Sequence, residues 1–459
     1  MKKEILVLTV ALSLTLSSCG LYSKYEQTTE VDSNLYGDVA QPNEVADSLT
    51  LGNLSWREVF TDTKLQSLIE QGLDNNTDLQ TALLNVEAAK ASLTASRLAY
   101  LPSVALNSEG TISGLMSGGE ASKAHTSVVA LSWEIDIFGK LTNQKLQSKM
   151  LFEQQLHIVQ AVQSQVVSSI ATLYYTLAML DEQIAIATAT EQSWAESIDA
   201  ARVMMEAGMM NEAGLAQMEA SYLSVKSAVI DLEVARKKSE NTLCSLLATS
   251  PQSITTNTLE DIVIPESIEM GIPMQMLSSR PDVMAAESAL AASFYSRNVA
   301  RSSFYPSITL TGAGGWTNEL GSIISNPAQA VYSIVGELVQ PIFTRGLNRA
   351  QLVAAKAQME QSRLAFEQTL IDSGIEVNNA LTDMMSTKAK STLYTSQVER
   401  LEVAASSTAL MMKHGSTTYL EVLTAQQTLY NSELQLVSNR FDQMQSMITL
   451  YRALGGGRL

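Results

Sequence analysis

Two cysteines, three histidines and nine prolines serve a chain of 459 residues, and the 23 glycines are unevenly spread. The prolines stand at 42, 102, 251, 265, 273, 281, 306, 327 and 341, so none falls between Ser103 and Ser250 or beyond Pro341. Glycine is missing from Lys140 to Ala207 and again from Leu215 to Met270. A compact α/β domain turns every ten to twenty residues and needs Gly or Pro at many of those turns. The length alone suggests about three domains of ~150 residues; the scarcity of breakers excludes that and predicts long uninterrupted helices. The shortage of basic residues, 30 against 47 acidic for a net charge of −17, excludes a basic nucleic-acid-binding face. Beyond the N-terminus no run of 18 apolar residues exists to form a transmembrane helix, so a membrane span has to be built from strands. His125, His157 and His414 are far apart, and no His-Glu-x-x-His, Gly-x-Ser-x-Gly or phosphate-loop motif occurs. No catalytic residue, metal site or cofactor is expected.

The first residues read as an address. Met1-Lys2-Lys3-Glu4 is a short basic start, and Ile5 to Leu16 is an apolar stretch too short to span a bilayer as a helix. Leu16-Ser17-Ser18-Cys19-Gly20 then resembles a bacterial lipobox, in which the cysteine becomes lipid-modified and begins the mature chain. Residues 1–18 are read as a lipoprotein signal peptide and 19–55 as a tether anchored in outer-membrane lipid through Cys19. With Cys19 modified, Cys244 has no disulfide partner; on its helical pattern it reads as a small buried hydrophobe.

The chain is written twice. Tyr100-Leu-Pro102-Ser-Val-Ala-Leu106 recurs as Phe304-Tyr-Pro306-Ser-Ile-Thr-Leu310, and Asn76-Thr-Asp78-Leu as Arg280-Pro-Asp282-Val, both offset by 204. Ile135-Asp-Ile-Phe138-Gly-Lys matches Gln340-Pro-Ile-Phe343-Thr-Arg, and Met204-Met-Glu-Ala-Gly208 matches Met411-Met-Lys-His-Gly415, at offsets of 205 and 207. Landmarks in constant order at nearly constant offset predict two repeats, 56–258 and 259–459. Each is read as a helix, two strands, a very long helix and a second helix.

Within the first repeat, Val129, Leu131, Trp133, Ile135 and Ile137 alternate with Ser132, Glu134 and Asp136, the period of two of a strand with one apolar face. In a membrane barrel that face meets lipid, and Glu134 and Asp136 become luminal carboxylates. Trp133 and Trp316 fall in such segments, with Tyr100, Phe138, Tyr305 and Phe343 near their ends, as in interfacial aromatic girdles. From Val159 the apolar positions Val162, Val166, Ile170, Leu173, Leu177, Leu180 and Ile184 follow the helical period, and a helix over Lys140 to Ala207 at ~1.5 Å per residue is roughly 100 Å long. Gly374 is the one glycine in the matching stretch of the second repeat, a place for close helix approach or a bend. Four strands per chain cannot close a barrel, and lipid does not tolerate open sheet edges. Two chains would give eight strands with a filled interior, three would give twelve with an open lumen.

These residues resemble the TolC-like outer-membrane efflux proteins, and more closely their lipoprotein branch serving proton-driven multidrug or metal pumps. The resemblance is carried by Trp56-Arg-Glu-Val-Phe60-Thr-Asp62-Thr-Lys-Leu65, Asn76 to Leu79, Arg280-Pro-Asp-Val-Met-Ala-Ala-Glu287, Gln340 to Phe343, and Gly415-Ser-Thr-Thr-Tyr419-Leu-Glu421-Val-Leu-Thr424-Ala-Gln426. It implies an α+β membrane protein: a homotrimer whose twelve-stranded β-barrel, four strands per chain, continues into a long α-helical periplasmic barrel. It implies as partners a periplasmic membrane-fusion (adaptor) protein and an inner-membrane RND-type transporter, with no nucleic acid. The implied function is a passive exit duct for small toxic compounds in a tripartite pump of a diderm bacterium. A duct for protein (type I) secretion and a surface lipoprotein without a pore are the alternatives; cargo is not legible.

In that family the periplasmic tips are helix-to-helix turns, which places them at Gly208 to Gly214 and Gly415 to Tyr419, with Gly208, Gly214 and Gly415 as hairpin glycines. Acidic residues constrict family pores just above the tips. Here Glu421 holds one such position, whereas Thr424, Thr417 and Gly214 stand where relatives carry acids, leaving Glu212 as the nearest carboxylate of the first tip. Met204, Met205, Met209 and Met210 crowd that tip and suit packing or an adaptable docking surface, with a soft-metal relay as the third reading.

Overall fold

A computed structural model describes residues 22–26, 54–114, 116, 118, 121–259, 280–319 and 330–457. The signal peptide, Cys19 and most of the tether lie outside them. The elements run α1 (Trp56–Val59), α2 (Thr63–Asn75), α3 (Thr77–Leu98), β1 (Ser103–Ser113), β2 (Ser122–Ile135), α4 (Lys140–Glu206), α5 (Glu212–Leu246), α6 (Pro281–Ser302), β3 (Ser307–Glu319), β4 (Ala330–Val339), α7 (Leu347–Lys413) and α8 (Tyr419–Ala453). Helices α4 and α7 each have 67 residues, α5 and α8 each have 35, and α3 and α6 each have 22. Gly374 does not interrupt α7. No described helix is long and apolar enough to cross a membrane.

The chain divides into two units, each with its own packing. The first contains 84–156 and 285–368 with the described residues 22–26. At its centre is one antiparallel sheet in the order β1-β2-β3-β4. Directly opposed residues share a face, so the register assigns the faces. Val104, Leu131, Gly312 and Ile334 form one row; Leu106, Val129, Gly314 and Tyr332 the next; Ile135, Ile308 and Leu338 lie at the end near α4. The opposite face carries Ser103, Ser132, Thr311 and Val335, then Ala105, Ala130, Ala313 and Ser333, with Glu134, Thr309 and Glu337 in one row. The apolar face is open: Leu106, Tyr332 and Ile334 are each more than two-thirds exposed. Within this sheet β1 and β4 each pair on one side only.

The second unit, 54–83, 157–259, 280–284 and 369–457 of the described residues, holds the main core. Trp56, Phe60, Leu65 and Ile69 are buried there against Val166, Ile170, Tyr174 and Leu177 of α4, Leu243 of α5, Leu381 of α7 and Ile448 and Tyr451 of α8. Phe60 meets the Tyr451 ring edge to face at 5.9 Å. The helix starts in the first motif have visible causes. Ser55 and Glu58 form a capping box on α1, and Asp62 caps α2 through Lys64 N at 2.8 Å. Its other oxygen accepts from Tyr174 Oη at 2.6 Å, which ties the start of α2 to the middle of α4. Cys244 is buried in this core with a free thiol.

Candidate functional site

The two helix-to-helix turns carry the first candidate residues. Gly208 and Gly415 have φ of +71° and +68°, the left-handed conformation that ends a helix with least strain in glycine. The amides of Met209 and Ser416 bond back to Met204 and Met411 carbonyls, at 2.8 and 2.9 Å, so both turns close in the same way. Asn211 then caps α5 by accepting from Gly214 N at 2.9 Å. Gly214 is therefore not part of the turn. It lies in the first turn of α5 and is buried, and a Cβ there would stand 2.8 Å from Cε1 of Tyr419. The sequence reading of Gly214 as a turn glycine is corrected: its missing side chain makes room for an aromatic ring from the other hairpin. Tyr419 and Leu423 of α8 pack with Met205, Met210 and Tyr222 around Ile198, Ala201, Leu215 and Met218, so the ends of the two hairpins share a small apolar core. Farther from the tips, Gln426 bonds Ser197 at 3.4 Å and Arg440 pairs with Glu182 at 3.1 Å.

Glu421 is exposed in the first turn of α8, and its carboxylate accepts from the Thr417 hydroxyl. Thr424 is exposed too, but its hydroxyl donates to the Leu420 carbonyl at 2.7 Å. Glu212 begins α5 and faces solvent. The methionines divide: Met205 and Met210 pack in the shared core, whereas Met209 is 66% exposed. Among the described residues no group of three His, Cys, Asp or Glu side chains could hold a metal ion.

The sheet carries the second candidate group. Glu134 lies on the polar face and pairs with Lys140 at 2.9 Å. Asp136 stands one residue beyond β2, and its carboxylate accepts from Leu141 N and Thr142 N at 3.0 and 2.8 Å at the start of α4. The alternation that grouped it with Glu134 runs on past the end of the strand, so the reading of Asp136 as a second strand-face carboxylate is corrected. Like Glu109 opposite Thr126, Glu337, which lies across Thr309 from Glu134, is a polar-face carboxylate the sequence reading missed. Its position two residues beyond Val335 in an alternating segment was the available signal.

Arg280 forms the third group. It is nearly fully buried and donates to Asp282 at 2.8 and 3.0 Å, to Glu376 at 2.7 Å and to the Ala453 carbonyl at 2.6 Å. Burial opposes the charge of Asp282, yet the hydrogen bonds and charge of Arg280 hold its carboxyl below the usual range. One guanidinium thus joins the start of α6 to α7 and to the end of α8.

The comparisons with known proteins bear on the whole arrangement. A family model described as outer membrane efflux protein matches residues 68–249 and 272–456. The chain belongs to the outer membrane efflux protein family. The cation efflux system protein CusC of Escherichia coli O6:H1 is 27% identical over 458 residues, 98% of each chain. A solved structure of CusC, also 27% identical, matches with a TM-score of 0.80 over 88% of this chain and 95% of that one. The probable efflux pump outer membrane protein TtgC of Pseudomonas putida is 27% identical over 472 residues, covering 100% of this chain and 96% of its own. The open-state structure of the outer membrane channel MtrE of Neisseria gonorrhoeae matches with a TM-score of 0.84 at 27% identity, over 95% of this chain and 98% of that one. The chain is an outer-membrane efflux protein of TolC-like fold, and its family and structural neighbours are channels, not enzymes.

Proposed function

We propose that three copies of this chain close a twelve-stranded barrel in the outer membrane of a diderm bacterium and continue it as a helical tunnel into the periplasm. The observation that carries this reading is the four-stranded sheet: one face apolar and open, the other small and polar, with each edge strand paired on one side only in the sheet. An apolar outer face suits lipid, and unpaired edges in lipid require partners. Third parts of a twelve-stranded barrel satisfy both conditions. Residues 1–18 are the signal peptide, Cys19 carries the lipid, and residues 56–258 and 259–459 are the two repeats of one protomer.

The channel is the passive exit of a tripartite pump. A periplasmic adaptor engages the hairpin ends around Gly208 and Gly415, and an RND-type inner-membrane transporter supplies the energy. Similarity to a cation efflux protein and to a probable efflux pump protein supports small toxic solutes, metal cations or drugs, as cargo. Near the tips, Glu421 of each copy lines the constriction, with Thr417, Thr424 and Glu212 around it. Three carboxylates at one level favour cations, and Glu134 forms a weaker ring in the barrel lumen.

Planar-bilayer recording of the purified oligomer tests both levels of this reading. Single-channel conductance is expected, and Glu421→Gln is expected to lower cation selectivity or change the resting conductance. Absence of conductance refutes the channel as drawn. Conductance with both properties unchanged in the variant refutes the role of Glu421 alone.

A further inference from the structure

Two arginines of α6 carry charge that the protomer does not neutralise. Arg297 and Arg301 stand four residues apart on one face of the last turns of the helix, about 6 Å apart along its axis. Each lies over an aromatic ring. The Arg297 guanidinium is 4.5 Å from the centroid of Phe294, which Tyr25 meets edge to face at 5.7 Å, and the Arg301 guanidinium is 5.9 Å from the centroid of Tyr22. Among the described residues neither arginine forms an ion pair, and the one side-chain hydrogen bond from the two is Arg297 to Asn298 Oδ1 at 3.3 Å. Asp136 acts electrostatically on the same Tyr22 hydroxyl, but its carboxylate is taken by the amides of Leu141 and Thr142. Like charges at this spacing repel. Burial, and after it the charge of Arg301, hold the Arg297 guanidinium below its usual range, the opposite of a guanidinium with an anion beside it.

The place of the pair in the fold selects the anion. Helix α6 ends at Ser302 and β3 begins at Ser307. Between them the Phe304 amide bonds the Arg301 carbonyl at 3.2 Å, and the Phe304 side chain is 42% exposed, so a bare apolar ring follows the charged pair toward the sheet. Tyr305 then stacks on Phe138 at 5.4 Å beside the strand ends. A bilayer is layered in the same order, with about 5–7 Å of headgroups outside the hydrocarbon on each side. We propose that Arg297 and Arg301 bind the phosphate of an anionic phospholipid headgroup in the leaflet that faces the periplasm, with Phe304 against the first acyl carbons. The site rests on the reading that the sheet is a barrel wall. Guanidinium forks match phosphate oxygens in geometry as well as in charge. A zwitterionic headgroup brings its own cation to two arginines that already repel one another, and is disfavoured.

The test reconstitutes the full-length protein in nanodiscs of equal parts phosphatidylglycerol and phosphatidylcholine and counts, by native mass spectrometry, the lipids that the released oligomer retains. At about fivefold per basic residue near a membrane surface, wild type is expected to retain phosphatidylglycerol roughly 30-fold over phosphatidylcholine. Arg297→Gln/Arg301→Gln should retain the two lipids equally. Arg297→Lys/Arg301→Lys keeps the charge without the planar forks and should show an intermediate preference. If the double glutamine variant does not accumulate, Arg301→Gln alone, at an exposed position, should lose about fivefold of the preference. Inorganic phosphate in large excess should leave the retained lipid in place; displacement would make this a site for soluble anions and overturn the lipid assignment. No preference in wild type, or an undiminished one in either glutamine variant, overturns the site. A wild type that does not enter the discs overturns the barrel reading, a failure distinct from that of a protein that enters them and does not discriminate.

Discussion

Arg280→Ala removes a guanidinium that makes four hydrogen bonds to three elements, from a position almost closed to solvent. Two carboxylates and a carbonyl lose a partner together. The Asp282 side chain is 44% exposed and can recover hydration, and Glu376 keeps Arg452 as an ion-pair partner. The Ala453 carbonyl, at the end of α8, loses its charged donor. Truncating one side of a buried ion pair costs about 3–5 kcal/mol; these two compensations place Arg280 near the lower bound. At 1.36 kcal/mol per decade, about 3 kcal/mol is roughly a 100-fold increase in local opening. Hydrogen exchange in detergent reads this directly. Amides over residues 281–288 and 446–454 should exchange roughly 100-fold faster, while 166–178 in the core of α4 should move little. Arg280→Lys keeps the charge but not the planar fork, so it should recover only part of the loss. Exchange within about threefold of wild type at both ends would refute the view that this residue ties α6 to α8.

Two further outcomes follow from single contacts. Gly315 pairs with Val128 where β3 runs beside β2, and a Cβ there would stand 2.1 Å from the Ser127 carbonyl oxygen, a backbone atom that cannot move aside. Gly315→Val should break the β2–β3 pairing, seen as lost strand signal by circular dichroism and as new protease cleavage between residues 122 and 319; a normally paired sheet would contradict the geometry. Glu240 is buried, which would raise its pKa, but bonds from Ile254 N, Lys237, Arg236 and Ser253 bring it to about 2. Because the folded value lies below the unfolded one near 4.3, the stabilisation is full above that value and is lost as pH falls toward 2. Acid titration followed by exchange at residues 236–254 should show protection falling across that window in wild type and a flatter profile in Glu240→Gln.

Much of the architecture was legible because two periods are written plainly in the chain. The period of two in β2 and the helical period from Val159 onward come from burial of one face, which each element expresses locally. The duplication then placed the second set of elements by offset. Legibility ended where a side chain serves a group outside its own element. Asp136 fits the strand alternation, yet the start of α4 takes its carboxylate. Gly214 reads as a turn glycine, yet Tyr419, 205 positions away, decides why it has no side chain. The Arg280 motif was visible, but Glu376 and Ala453 were not legible as its partners.

The sequence by itself determined the long helices, the four alternating strands, the lack of a helix apolar enough to span a membrane among the described residues, and the positions of the two helix-ending glycines. These follow from local backbone preference and from the spacing of apolar residues. Only the tertiary structure decided which carboxylates are spent within the protomer, how the hairpin ends hold one another, and where Tyr22 and Tyr25 pack. Those outcomes depend on distances between side chains of different elements, and a periodic pattern carries no information about which periodic element will lie against it.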